Sequence, residues 1–289
     1  MLIKVNDAEV CVPKIAGDRT TGVRLVSIDG TERRVVIGTE KSALIAEAGG
    51  ALLLRKADGL ARVDAAADFA TTDFSTYDGD LSGVAWTSYV ADYFVDSENL
   101  RYKTFEIEID ALAADDPGYS GPSGFALIPG TLDIVVTMVR DRALRIVNAA
   151  TNSVRRVELP RAGSSNPMVV EGSIFLSNYD SMCRVDAASF KLIASNRLQP
   201  DVFFPEHNMS GRAFIGVPYK SDIMDGWWVP RPYSSDILFV DAETLRPTGA
   251  IRCGGRPYAL VEFGDGVLFI IDHPFDAFQT ANVADLSLF

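Results

Sequence analysis

Short β-branched runs bounded by turn residues, an apolar-Asp landmark at blade-like spacing, and the near absence of helical periodicity together predict an all-β chain. The fold they predict is a β-propeller of seven blades with four antiparallel strands each, and residues 1–289 form that single domain. The clearest stretch is Leu132 to Asn178. Apolar runs at Ile134–Val139, Leu144–Val147, Val154–Leu159 and Met168–Val170 alternate with polar breaks, and the pattern restarts at Ile174. Branched side chains pack well on a pleated surface, so these runs read as strands.

The landmark is an apolar residue followed by Asp or Asn at the end of a strand. It recurs at Ile28-Asp29, Val63-Asp64, Ile109-Asp110, Val147-Asn148, Val185-Asp186 and Val240-Asp241, and more weakly at Asp285. Successive landmarks lie 35, 46, 38, 38, 55 and 44 residues apart, near the roughly 40–50 residues of a propeller blade. The carboxylate or amide is expected to accept from a backbone N–H two residues on and close the turn into the next strand. A polar or Gly-rich approach then leads into each blade's innermost strand, in EKSALIAEAGG, DLSGVAWTS, SGPSGFALIPG, SSNPMVVEGS, PEHNMSGRAFIG and GGRPYALVEFGDG. Only Asp110–Asp115 suggests a helical turn. At ring closure, Leu2–Val5 is expected to complete the last blade from outside. The other arrangement makes it the first blade's inner strand, hairpinned through Asn6-Asp7.

IVVTMVRDRALRIVNAATNSVRRVEL and ILFVDAETLRPTGAIRCGGRPYALVEFGDGVLFIID resemble the YVTN-type (YncE-like) β-propeller repeat, with its D-x-x-T and G-x-x-P elements. The resemblance covers roughly residues 125–272 and implies the fold rather than an activity. The WD and GH signatures of WD40 repeats are missing. A parallel β-helix has shorter repeats, and a two-sheet sandwich would not give seven landmarks.

Composition narrows the function. A net charge of −12 repels phosphate backbones, and no basic patch offsets it, so nucleic acid is not an expected partner. Cys11, Cys183 and Cys253 show neither disulfide nor zinc spacing and fit a reducing compartment. No apolar run reaches the length of a membrane span, so a soluble, cytoplasmic protein without a membrane partner is expected. The GxSxG, HExxH and GxxxxGK[ST] motifs are all missing. With only His207 and His273 in the chain, a multi-histidine metal site is excluded.

Candidate sites therefore come from the repeat register. Residues just before each inner strand ring one channel mouth: Lys41, Asp80, Ser82, Ser123, Ser165, Asn166, Glu206-His207-Asn208, Arg256 and Tyr258. They would hold a small polar ligand or line a wet channel. Gly216–Ser235 reads as an insertion in the sixth blade, carrying Tyr219, Asp222, Asp225, Trp227, Trp228, Arg231 and Tyr233 beside three prolines. Two readings stand: a recognition loop of aromatics with polar tips, or packing of Trp227-Trp228 against a blade. His273 follows Asp272, a pairing that can raise an imidazole pKa; the plainer reading is a strand-end histidine bonded within its turn. Asp115-Asp116 is a weak Ca²⁺ candidate.

Three functions fit. The first is a binding protein for a small molecule or peptide at the channel mouth and sixth-blade loop. The second is a lyase, hydrolase or cyclase on the same face, with Glu206, His207, Asp225, Asp272 and His273 as acid/base groups. Its cofactor is unassigned, and a single divalent metal on carboxylate and amide oxygens is compatible with it. The third is a scaffold for a protein partner. Fold alone does not choose among them.

Overall fold

The structure, a computed structural model, describes residues 2–6, 8–13, 22–36, 43–48, 51–56, 59–64, 69–74, 84–86, 99–102, 105–108, 122–128, 130–131, 133–138, 142–148, 151, 153–160, 167–178, 180–198, 215–272 and 277–289. The described strands form seven antiparallel sheets, most of them meanders in chain order. Sheet 1 holds β1 (Ile3–Lys4), β2 (Glu9–Pro13), β3 (Gly22–Ser27) and β4 (Glu32–Val36). Sheet 2 holds β5 (Ala43–Ala48), β6 (Ala51–Lys56), β7 (Gly59–Asp64) and β8 (Ala70–Phe74), with β9 (Val84–Trp86) added beside β5. Sheet 3 pairs β10 (Asn99–Tyr102) with β11 (Phe105–Glu108). Sheet 4 holds β12 (Pro122–Leu127), β13 (Asp133–Met138), β14 (Ala143–Asn148) and β15 (Ser153–Glu158). Sheet 5 holds β16 (Met168–Val170), β17 (Ser173–Asn178), β18 (Ser181–Asp186) and β19 (Leu192–Arg197). Sheet 6 holds β20 (Tyr219–Lys220), β21 (Gly226–Arg231), β22 (Asp236–Asp241) and β23 (Pro247–Arg252), and sheet 7 holds β24 (Pro257–Glu262), β25 (Val267–Asp272) and β26 (Phe278–Asn282). A last strand, β27 (Ser287–Leu288), leaves sheet 7 and pairs with β23.

Five landmarks, at Asp29, Asp64, Asn148, Asp186 and Asp241, fall at or just after the end of a sheet's third strand, Asp285 lies in a 3-10 turn after β26, and Ile109-Asp110 lies outside the described residues. Four of the five show the bonding that makes them recur. Asn148, Asp186 and Asp241 each accept from the backbone N–H and hydroxyl of the residue three positions on, Thr151, Ser189 and Thr244. Asp29 accepts from the N–H of Thr31. Of these four, Asp29 shows the expected two-residue reach, and the other three reach one residue further. These bonds hold the carboxyls of Asp29, Asp186 and Asp241 below the usual carboxylate range. After the first strand, Gly130, Gly172 and Gly266 take the left-handed conformation that reverses the chain.

From sheet 4 through sheet 7 and on to sheet 1, neighbouring sheets bury their faces against each other, so middle strands there are covered on both sides. β21 is buried at every position and β22 at all but its last, whereas the outer strand β15 is mostly exposed. One core cluster joins sheets 4 and 5 through Leu144, Ile146, Ile174 and Val185. A second joins sheets 5 and 6 through Phe175, Trp227 and Leu238. A third joins sheets 6 and 7 through Trp228, Ile237, Leu260 and Ile270. The fourth joins sheet 7 to sheet 1, where Val261, Phe263 and Phe269 pack with Val10, Val12 and Val26.

Two expectations about strand placement are corrected. Ile3 and Lys4 pair with Cys11 and Val10 inside sheet 1, so Leu2–Val5 opens the first sheet and does not complete the last. The short loop from Asn6 favours this local hairpin over a distant partner: Asn6 Oδ1 accepts from the Ala8 N–H at 2.8 Å. Likewise Val84–Trp86 pairs with Ala46–Ala48 in sheet 2 and does not open sheet 3. The helical turn expected at Asp110–Asp115 and the inner strand expected before Ile215 lie outside the described residues. Among the described residues no helix is long and apolar enough to cross a membrane.

Candidate functional site

Gly216–Ser235 is not an inserted loop. It contains β20 and β21, with Tyr219 opposite Trp228 and Lys220 opposite Trp227. Trp227 and Trp228 are both 0% exposed. As neighbours on a strand they point to opposite faces. Trp227 meets Phe175 of sheet 5 at 4.5 Å between ring centroids, and Trp228 meets Phe239 at 4.7 Å. The prolines that give the segment its loop-like composition are accommodated locally. Pro218 and Pro232 lie outside the strands, and Pro230, inside β21, accepts from the Gly216 N–H at 2.7 Å. The packing reading therefore describes the tryptophan pair, and no ligand can reach it in this state.

Below Trp228 lies a buried carboxylate that the sequence did not single out. Glu262, at the end of β24, accepts from Trp228 Nε1 at 3.0 Å, from Ser221 Oγ at 3.0 Å and from the Asp222 N–H at 2.6 Å. A buried charge is tolerable when it is this fully bonded. Around it, the Tyr219 hydroxyl donates to Asp222 at 2.7 Å and Lys220 pairs with Asp225 at 3.1 Å. Burial, followed by the Asp222 bond, pushes the Tyr219 phenol well above its ordinary range. Glu262 is committed to holding the turn between β20 and β21, while Asp222 and Asp225 make their bonds at the surface.

At the opposite end of the same sheets stands the part-buried Asp272. Asp272 pairs with Pro257 and Glu262 with Leu268, so the two carboxylates stand five residues apart along β24, roughly 16 Å at about 3.3 Å per residue. Asp222 and Asp225 therefore do not meet Asp272, and His273, the next residue after it, lies outside the described residues. At the Asp272 end, Gln279 Nε2 donates to Oδ1 at 2.5 Å, and the backbone N–H of Arg256 also donates to the carboxylate. Partial burial outweighs both bonds and holds the Asp272 carboxyl above its usual range. Gln279 Oε1 in turn accepts from the Gly254 N–H at 2.9 Å. The carboxylate lies so close over Gly255 that a Cβ there would meet Oδ2 at 2.0 Å and push the carboxylate aside.

Two further features border this end. Arg231 and Asp236 form a buried forked ion pair across the β21–β22 hairpin, with Nε donating to Oδ1 at 2.6 Å and Nη2 to Oδ2. Cys253 donates its N–H to the Ser235 carbonyl at 2.9 Å. Burial, with the Asp236 and Asp272 charges nearby, pushes its thiol up to about 12. Arg256 is exposed at the rim, whereas Tyr258 is part-buried and its phenol is raised by that burial. Tyr233 lies in the turn between β21 and β22. The remaining candidates, Asn166, Glu206, His207, Asn208 and His273, lie outside the described residues, as do Lys41, Asp80, Ser82, Ser165, Asp115 and Asp116. Among the described residues no group of three metal-ligating side chains comes together.

No protein-family model and no curated protein sequence matches the chain. Among solved structures, it is similar to the computationally designed Ika8 protein at 12% identity and a TM-score of 0.54, covering 96% of this chain and 81% of that one. It is also similar to the dihydro-heme d1 dehydrogenase NirN, a β-propeller protein solved in complex with DHE. There the identity is 12% and the TM-score 0.50, covering 99% of this chain and 66% of NirN. AztD from Citrobacter koseri aligns more loosely, at 14% identity and a TM-score of 0.39 over 89% of this chain and 60% of its own. The chain thus spans about two thirds of NirN and less of AztD. At these identities the likeness concerns the fold alone, and with the sheet topology it makes this an all-β, β-propeller-like protein.

Proposed function

We propose that this protein is a soluble, cytoplasmic seven-bladed propeller of the YVTN type that binds a small polar molecule or peptide at the end of sheets 6 and 7 marked by Asp272. The observation that carries the reading is the contrast between the two ends. Glu262 is buried and consumed by structural bonds, whereas Asp272 retains a part-exposed carboxyl, raised in pKa, and Arg256, just before β24, is exposed. A ligand that reaches both Asp272 and Arg256 would meet charge of both signs. His273, next in the chain, and the Glu206-His207-Asn208 run preceding sheet 6 would belong to the same rim in the repeat register. Seven sheets, with sheet 7 packed on sheet 1, support a closed ring whose channel mouth lies there.

A second reading is supported by the Asp272 carboxyl itself. A carboxyl held above its ordinary range suits a general acid in a hydrolase, lyase or cyclase, with His273 as its partner. The two readings share one test. Melting curves are recorded against divalent metals and small polar metabolites, for the parent and for Asp272→Asn, Arg256→Ala and His273→Ala. A ligand of this site raises the parent midpoint, and the variants lose the shift while keeping their own ligand-free midpoints near the parent's. A ligand whose shift survives in all three variants sits elsewhere.

A further inference from the structure

We propose that the outer edge of β23 is a strand-addition site, filled by the chain's own residues 286–289 and able to take the same segment from a second copy of this chain. Ser287 and Leu288 pair with Ala250 and Gly249, and the Phe289 N–H donates to the Thr248 carbonyl at 3.0 Å. The edge is shaped for this strand. At Gly249 a Cβ would meet Leu286 Cδ1 at 2.8 Å and the Ser287 carbonyl oxygen at 2.9 Å, and the three atoms nearest to it all belong to the added segment. Gly249 therefore admits the segment by having no side chain.

The segment is held lightly. Leu286 is the side chain that packs on the core between sheets 6 and 7, whereas Leu288 and Phe289 are 75% and 57% exposed. It is reached through a 3-10 turn, Val283–Asp285, that buries no residue and has no side-chain cap at its start. An apolar strand held by ladder bonds and the part-buried Leu286 on a sheet edge, behind a short turn that Val283 alone packs on the core, is an arrangement that lets identical chains exchange an element. A second copy presents the same Leu286-Ser287-Leu288-Phe289 strand to the same edge. That identity makes it the fitting occupant when the segment is displaced.

The groove and the segment can be disabled separately, which makes the test two-sided. In the full chain, Leu286→Asp removes the anchor and leaves the edge open, whereas Gly249→Ala narrows the edge itself. A labelled peptide with the sequence of residues 283–289 is expected to bind Leu286→Asp saturably by fluorescence anisotropy and not the Leu286→Asp/Gly249→Ala double variant. Mixing the parent with Leu286→Asp is expected to give a heterodimer in sedimentation velocity that disappears with the double variant. Hydrogen exchange of the 287–289 amides confirms release in Leu286→Asp, and circular dichroism and melting confirm that each variant folds. Peptide binding to neither folded variant, equal binding to both, or continued protection of 287–289 in Leu286→Asp would each overturn the proposal.

Discussion

The indole nitrogen of Trp228 donates to the carboxylate of Glu262 at 3.0 Å, joining the middle of sheet 6 to the inner strand of sheet 7. Together with Ser221 Oγ and the Asp222 N–H, this carboxylate ties the two sheets at one end. Glu262→Leu leaves three donors unmatched in a dry environment and is expected to cost about 3 kcal/mol or more. Glu262→Gln keeps part of the bonding and is expected to cost less. Urea unfolding of both variants measures the difference.

The tryptophan pair belongs to the core, so its truncation should not be silent. Trp227→Ala and Trp228→Ala are each expected to lower stability by about 3–5 kcal/mol. A variant of either kind that melts with the parent would place the side chain at the surface.

Arg231 and Asp236 are 1% and 0% exposed, and each neutralises the other. Arg231→Met alone strands the aspartate and is expected to cost about 3–5 kcal/mol, whereas Arg231→Met/Asp236→Leu should recover much of that loss. A double-mutant cycle in urea reports the coupling directly.

Acid affects the landmark turns and Asp272 in opposite directions. Asp29, Asp186 and Asp241 have carboxyls held below the ordinary aspartate value of 3.8. The stability they contribute is present above that value and lost as pH falls through the lower folded values. Asp272 is raised above 3.8, so the folded chain keeps a proton that the unfolded chain releases, and stability falls as pH rises through that window. Asp241→Asn should flatten the acid loss, and Asp272→Asn should remove the decline above 3.8. Chemical unfolding across pH resolves both.

Asp272 also acts on Cys253, whose thiol is raised by burial and by the neighbouring carboxylates. Removing that charge in Asp272→Asn should speed alkylation of Cys253, read by mass spectrometry. An unchanged rate would mean that access alone controls the thiol.

Much of the fold was legible in the sequence because its signals are local. An Asp or Asn closing a turn onto Thr or Ser three residues on leaves the same mark at Asn148, Asp186 and Asp241, and a sheet covered on both faces leaves apolar runs such as Ile237–Val240. The Gly216–Ser235 segment misled for a local reason as well: prolines and polar residues disguise a strand buried on both faces. Glu262 was hidden because its three donors are far away in the chain, and a glutamate after Ala-Leu-Val looks like any strand end. The pairing of β27 with β23 is equally non-local. A hint lay in Gly249, a glycine inside a strand, which marks a close backbone approach.

The central claim is that ligand meets the Asp272 end of sheets 6 and 7. Hydrogen exchange of the protein with and without the ligand identified by melting tests it most directly. The account predicts new protection at the 253–256 and 277–279 amides and none at 221–226. Protection confined to 221–226, around Asp222 and Asp225, would place binding at the Glu262 end and contradict it.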